Sequence, residues 1–299
     1  MLPVLSTMTN THILRRFLEN SSTTLNLRQG DWKQLSISRY VGTNLKEVSR
    51  KFFQSMTSRI VAKIFQTIAL TIRQFIKFPS SSDQVEVKRK FYQVAGFPGA
   101  IGCIDCTHVP IKNPSRRNGE VFRNRKGWFS INVQLMCGPD MKIYDIVARW
   151  PGSVHDSRIF SNSRCCMRFE DGELSVLLIG DSGYAKTSYM YTPVTNPQTP
   201  SEIRYNRAHI NTRNIIERLN GVLKRRFACL SRKLQNNLSN TCNIIVACAV
   251  LHNICLITNE DEVAEPEEVQ EVPVPEANET ERGTTFRRWS SSSLSCNFS

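Results

Sequence analysis

Three carboxylates in this chain sit where they could act on a phosphodiester. Asp105 closes a strand-like run that begins at Ala100. Asp181 follows a second apolar run, in Ile179-Gly180-Asp181-Ser182-Gly183-Tyr184. Glu217 lies in the helical pattern Arg213-Asn214-Ile215-Ile216-Glu217-Arg218. Asp105 and Asp181 are 76 positions apart, Asp181 and Glu217 36. Hard cations such as Mg²⁺ take oxygen ligands and are held by few carboxylates plus phosphate oxygens. Two such ions about 3.5–4 Å apart can activate a water and stabilise the departing oxygen. Each acid also has an ordinary reading. An Asp after a strand often serves a turn or a helix cap. Glu217 stands four residues after Arg213, the spacing of an exposed helical ion pair worth a few tenths of a kcal/mol.

Two strand ends and a facing helix would have to bring the three together. The periodicity supplies such elements. Phe53, Met56, Ile60, Ile64, Phe65, Ile68, Ile72 and Phe75 give one long helix an apolar face. Phe78-Pro79 and three serines end it. Residues 100–105, 128–137, 142–150 and 174–179 read as strands, the middle two joined by the turn Gly138-Pro139-Asp140. Residues 114–127 read as a basic loop and 182–202 as another loop. A helix is expected over 208–227, with Ile215, Ile216, Leu219, Val222, Leu223 and Phe227 as its stripe. Residues 241–257 read as a buried helix, apolar almost all round. Residues 260–281 hold ten acids interspersed with prolines, a composition that cannot bury enough surface to fold alone.

The bulk numbers narrow the class. At 299 residues, 40% hydrophobic and 22% charged, the composition is globular rather than disordered or collagen-like. The net charge of +13 suits a polyanionic partner, nucleic acid before an acidic membrane surface. Residues 259–299 hold ten acids and three bases, so the excess belongs to the rest of the chain. No stretch reads as an uninterrupted apolar run of the roughly 18 residues a membrane helix needs, because His252 and Asn253 break the nearest one. Polar residues from Thr7 to His12 argue against a secretory signal. The ten cysteines then read as mostly reduced thiols of the cytosol or nucleus. Cys103 and Cys106 form a CxxC, but no second one exists to complete a zinc site.

Four blocks carry a family resemblance. Gly102-Cys103-Ile104-Asp105-Cys106-Thr107-His108-Val109-Pro110-Ile111 resembles the first block of the PIF/Harbinger transposases. Trp150-Pro151-Gly152-Ser153-Val154-His155-Asp156-Ser157 resembles the second, and Gly180-Asp181-Ser182-Gly183-Tyr184 the third. Residues 205–209, 212–218 and 221–227 together resemble the fourth. The blocks occur in the family's order over residues 99–256, and the domesticated Harbinger transposase-derived nucleases of animals are the nearest in kind.

Periodicity, composition and the resemblance together predict an α+β chain, the resemblance implying its ribonuclease-H-like core. The chain would have an N-terminal helical region (1–80) with a degenerate helix-turn-helix, a ribonuclease-H-like DDE nuclease domain (98–258) and a disordered acidic tail (259–299). Asp105, Asp181 and Glu217 match the DDE triad. Asp156 matches a further acidic position thought to bind the divalent metal, Mg²⁺ or Mn²⁺, and His155 is a candidate to orient it. Two basic clusters are candidates to touch the DNA backbone: Arg116, Arg117, Arg123, Arg125 and Lys126 on the loop, and Lys224, Arg225 and Arg226 on the helix. The family usually works with a separate Myb- or MADF-like DNA-binding protein and in the nucleus, with the cytoplasm as a second location. Residues 56–61 faintly resemble the entry to the family's recognition helix, whereas residues 35–53 fit poorly.

Two other functions stay open at this point. Gly180-Asp181-Ser182-Gly183, preceded by His108 and Asp156, resembles a serine-protease nucleophile motif, although Tyr184 stands where a glycine would. A catalytically silent DNA- or protein-binding descendant of a transposase would carry the same acids. The sequence leaves DNA target and oligomeric state open.

Overall fold

The computed structural model describes residues 43–114, 119–174 and 176–258, with side chains from residue 56 onward. The basic pair Arg116 and Arg117, the proposed tail and residues 35–42 of the poorly fitting segment lie outside these residues, while residues 43–53 of that segment are helical.

A five-stranded mixed sheet carries the site. Its strands are β1 (Ala100–Pro110), β2 (Ser130–Cys137), β3 (Ile143–Pro151), β4 (Leu177–Ile179) and β5 (Met190–Tyr191), in the order β3-β2-β1-β4-β5. β1, β2 and β3 form an antiparallel meander, while β4 pairs in parallel with β1 and β5 in parallel with β4. β1 is twice the length its sequence suggests, and Asp105 lies in its middle, not at its end. The apolar run stops at Asp105, but the backbone goes on pairing with β2 from Cys106↔Gln134 to Pro110↔Ser130. Beyond Cys103 the strand pairs on one edge alone, with β2, and its apolar run has ended, so the sequence does not mark this half.

The helices number α1 (Thr43–Leu70), α2 (Ile72–Phe75), α3 (Ser81–Ala95), α4 (Asp156–Ser161), α5 (Arg164–Glu170), α6 (Pro200–Arg226) and α7 (Leu238–Ile257) among the described residues. The expected long apolar helix is α1, broken at Thr71, whose hydroxyl donates to the Ile68 carbonyl, before α2 resumes. The residues of the suspected recognition-helix entry lie inside α1. The serines after Pro79 do more than end a helix: Ser80 caps the start of α3, accepting from the Asp83 N–H, and Gly96 closes it with φ of 70°.

α6 begins eight residues earlier than the expected start at residue 208. Thr199 and Glu202 form a reciprocal capping box and Pro200 occupies the first turn. From its buried stripe, Ile215, Ile216, Leu219 and Leu223 pack with α7 and α1 on one face of the sheet. α4 and α5 cover the other face through Phe160, Cys165, Cys166 and Phe169, against Ile101, Ile104 and Met136. α7 is 20 residues long and apolar enough to cross a membrane by length and composition, which corrects the reading that no such stretch exists. It lies in the core, with Ile244, Ile245, Cys248, Val250 and Leu251 all buried.

Candidate metal centre and basic surface

β1 and β4 run side by side only as far as Cys103↔Ile179. Two residues further on, each strand presents an aspartate. Gly180 makes the exit from β4 possible: a Cβ there would lie 2.9 Å from Met190 Sδ and from Tyr184 Cδ2. The chain then turns at Asp181, whose Oδ1 accepts from the Gly183 N–H at 2.9 Å. Asp156 arrives from the far edge of the sheet as the first residue of α4. Its Oδ1 accepts a 3.0 Å hydrogen bond from Asn132 Nδ2 on β2.

Asp105, Asp156 and Asp181 are all half-buried, and one oxygen from each lies within 4.8 Å of the others. Burial pushes the Asp105 carboxyl up to about 6. The carboxylates of Asp181 and Asp156 push in the same direction, against the Arg213 guanidinium. Three oxygens gathered this closely, with their charges opposing one another, make a donor set suited to a hard divalent cation.

Glu217 does not join this group. Its carboxylate is half-exposed and pairs with Arg213 Nη1 at 2.8 Å, while Arg213 Nη2 lies 3.8 Å from Asp105 Oδ2. The i,i+4 pair read from the sequence is therefore present, and Arg213 joins it to the acid group. The sequence pointed to Arg213 only as the partner of Glu217. It gave no notice of Asn132, although the alternation Ser130-x-Asn132-x-Gln134 on a strand was visible.

The two basic clusters separate by residue. Arg123 braces its own loop: it pairs with Glu120, donates to the Gly127 carbonyl at 2.8 Å and lies over the Phe129 ring. Arg125 is exposed and bonds to the His155 ring, next to Asp156. Lys126 is exposed. On α6, Lys224 reaches β1, donating to Thr107 Oγ1 at 2.6 Å, and burial together with Lys126 lowers its pKa. Arg225 is exposed. Arg226 turns to α7, where it donates to His252 Nδ1 at 2.9 Å.

Cys103 and Cys106 point to opposite faces of β1: Cys103 Sγ donates to the Thr212 carbonyl on α6, and Cys106 lies 3.5 Å from the Tyr184 hydroxyl. Among the described residues the acid trio is the cluster with metal-ligand spacing. His108, the base a serine-protease reading requires, bonds through Nδ1 to Ser130 at 3.0 Å and meets the Trp128 ring edge-on.

The sequence profile of the DDE superfamily endonucleases matches residues 104–253. The chain is 38% identical over 208 residues to the Rattus norvegicus protein called "Putative nuclease HARBI1", and 36% identical over 208 residues to the Homo sapiens protein of that name. Each match covers 68% of this chain and 59% of the relative. "Protein ALP1-like" of Arabidopsis thaliana is 28% identical over 229 residues, which are 70% of this chain and 55% of that one. The chain thus spans somewhat over half the length of the relatives it matches. No solved structure matches it. The resemblance to Harbinger transposase-derived proteins, drawn from four motif blocks, is borne out by these matches. All the proposed acids lie within the matched segment, and the chain belongs to the DDE superfamily endonuclease family.

Proposed function

We propose that this chain is a divalent-metal-dependent DNA endonuclease with a ribonuclease-H-like core. The observation that carries the reading is the meeting of Asp105, Asp156 and Asp181 beside the central strand of a β3-β2-β1-β4-β5 sheet. These three residues would hold Mg²⁺ or Mn²⁺, with Glu217 completing the triad by leaving Arg213. The bound cation supplies activation of water and charge stabilisation at the departing 3′ oxygen. Of the two basic clusters, Arg125, Lys126, Lys224 and Arg225 would bind the phosphate backbone. Arg116 and Arg117 would add to them. Arg123 and Arg226 contribute by bracing loop and helix. A separate Myb- or MADF-like protein would choose the DNA target, and the work would be done in the nucleus.

The test is nicking of supercoiled plasmid in Mg²⁺ or Mn²⁺ by the wild type and by Asp181→Asn. Loss of at least a hundredfold in the variant is expected, and equal signals would refute the reading. Ser182→Ala should leave cleavage intact. One observation favours a second reading, the catalytically silent DNA-binding descendant: Glu217 stands with Arg213 and outside the acid group. Salt-sensitive DNA binding without cleavage would support it.

A further inference from the structure

The inward face of β2 is polar where a covered sheet face is ordinarily apolar. Ser130, Asn132 and Gln134 are each 0–1% exposed. A buried polar side chain costs about 1–3 kcal/mol when a bond it needs is missing. Here Asn132 Oδ1 and both polar atoms of Gln134 have no hydrogen-bond partner in the protein. An apolar residue of similar size at 132 would be the more stable choice for packing alone.

The Asn132 amide has two N–H bonds to give. One goes to the Val154 carbonyl at 2.9 Å, the other to Asp156 Oδ1 at 3.0 Å. It therefore grips both the backbone entering α4 and the carboxylate at the head of that helix. Asp156 needs such a grip. Asp105 is fixed in mid-strand and Asp181 by its own turn, but Asp156 stands on a six-residue helix beyond the sheet's other edge.

We propose that Asn132 is a positioning residue: by donating to Asp156 it holds that carboxylate against Asp105 and Asp181 and so sets the divalent-cation affinity of the trio. The proposal rests on the metal-dependent reading above. Residues that orient a ligand in this way are worth about 10–100-fold in metal affinity.

The experiment titrates the full-length chain with Mn²⁺ in the absence of DNA and follows the free ion by electron paramagnetic resonance. Wild type, Asn132→Ala, Asp156→Ala and the double variant are compared. Asn132→Ala is expected to weaken Mn²⁺ binding about 10–100-fold and to do nothing further once Asp156 is alanine. If the alanine variant fails to fold, Asn132→Leu fills the space without the donors and is expected to show the same loss. Equal affinity in wild type and a folded Asn132 variant overturns the proposal but leaves the metal reading standing. Equal losses in both backgrounds also overturn it, because Asn132 would then act on the fold and not through Asp156. A wild type that binds no Mn²⁺ overturns both.

Discussion

Arg213 spans two of the carboxylates, 2.8 Å from Glu217 and 3.8 Å from Asp105. Its positive charge favours the ionised form of Asp105 against the burial that opposes it. Arg213→Ala removes that support, so the Asp105 carboxyl should titrate above about 6, where it stands with Arg213 in place. Cation binding needs the deprotonated acid and should move to higher pH with it. Carbon-13 NMR of the aspartate carboxyls would read the shift, and an unmoved midpoint would show that Arg213 is electrostatically idle. At this scale the sequence was informative in one respect only. Asp105, Asp156 and Asp181 were readable because each sits in a family block with a fixed neighbour pattern. Asn132 was not, since a polar residue alternating along a strand normally marks a solvated face, and only the covering helix α4 reverses that reading.

Asn253 does for the elements what Asn132 does for a side chain. Its Oδ1 accepts from the Ile143 N–H at 2.8 Å, and its Nδ2 donates to the Ile143 carbonyl at 2.7 Å and to the Phe75 carbonyl at 2.9 Å. One side chain on α7 thus ties the edge strand β3 to the end of α2. Asn253→Ala should cost on the order of 3 kcal/mol, read as a lower urea midpoint at unchanged slope. A loss below about 0.5 kcal/mol, the range of an inert surface change, would contradict the role. The same residue had looked like an interruption of an apolar run. Its value is visible only when the strand edge it satisfies is present. Helix starts were likewise underread: Thr199, Pro200 and Glu202 spell a capping box, but the polar turns behind them hid a helix that begins well before its apolar stripe. α3 buries Phe91 alone and leaves Val85, Tyr92 and Val94 exposed, so its sequence shows no single apolar stripe.

For the whole molecule, charge and topology decide different things. The +13 total understates the charge of residues 1–258, because residues 259–299 carry ten acids against three bases. Deleting residues 259–299 removes a net −7 (three bases, ten acids) and should tighten DNA binding at low salt and matter little at high salt. Fluorescence anisotropy would show it, and an unchanged affinity would dismiss it. The general architecture was legible because strands and helices of this chain differ in period. The mixed sheet was not, because no local pattern announces that β4 will run parallel to β1. That parallel pairing also sets an order of events. Five residues join β2 to β3 and 19 join β1 to β2, whereas β4 must return to β1 across the 66 residues between Pro110 and Leu177. Pulsed hydrogen exchange during refolding should find the meander amides protected before those of β4, and simultaneous protection would refute this. Asp105 belongs to the meander and Asp156 follows it on α4, tied back to β2 by Asn132, whereas Asp181 follows β4. A chain still emerging from the ribosome therefore carries an incomplete acid trio, which closes only when β4 docks.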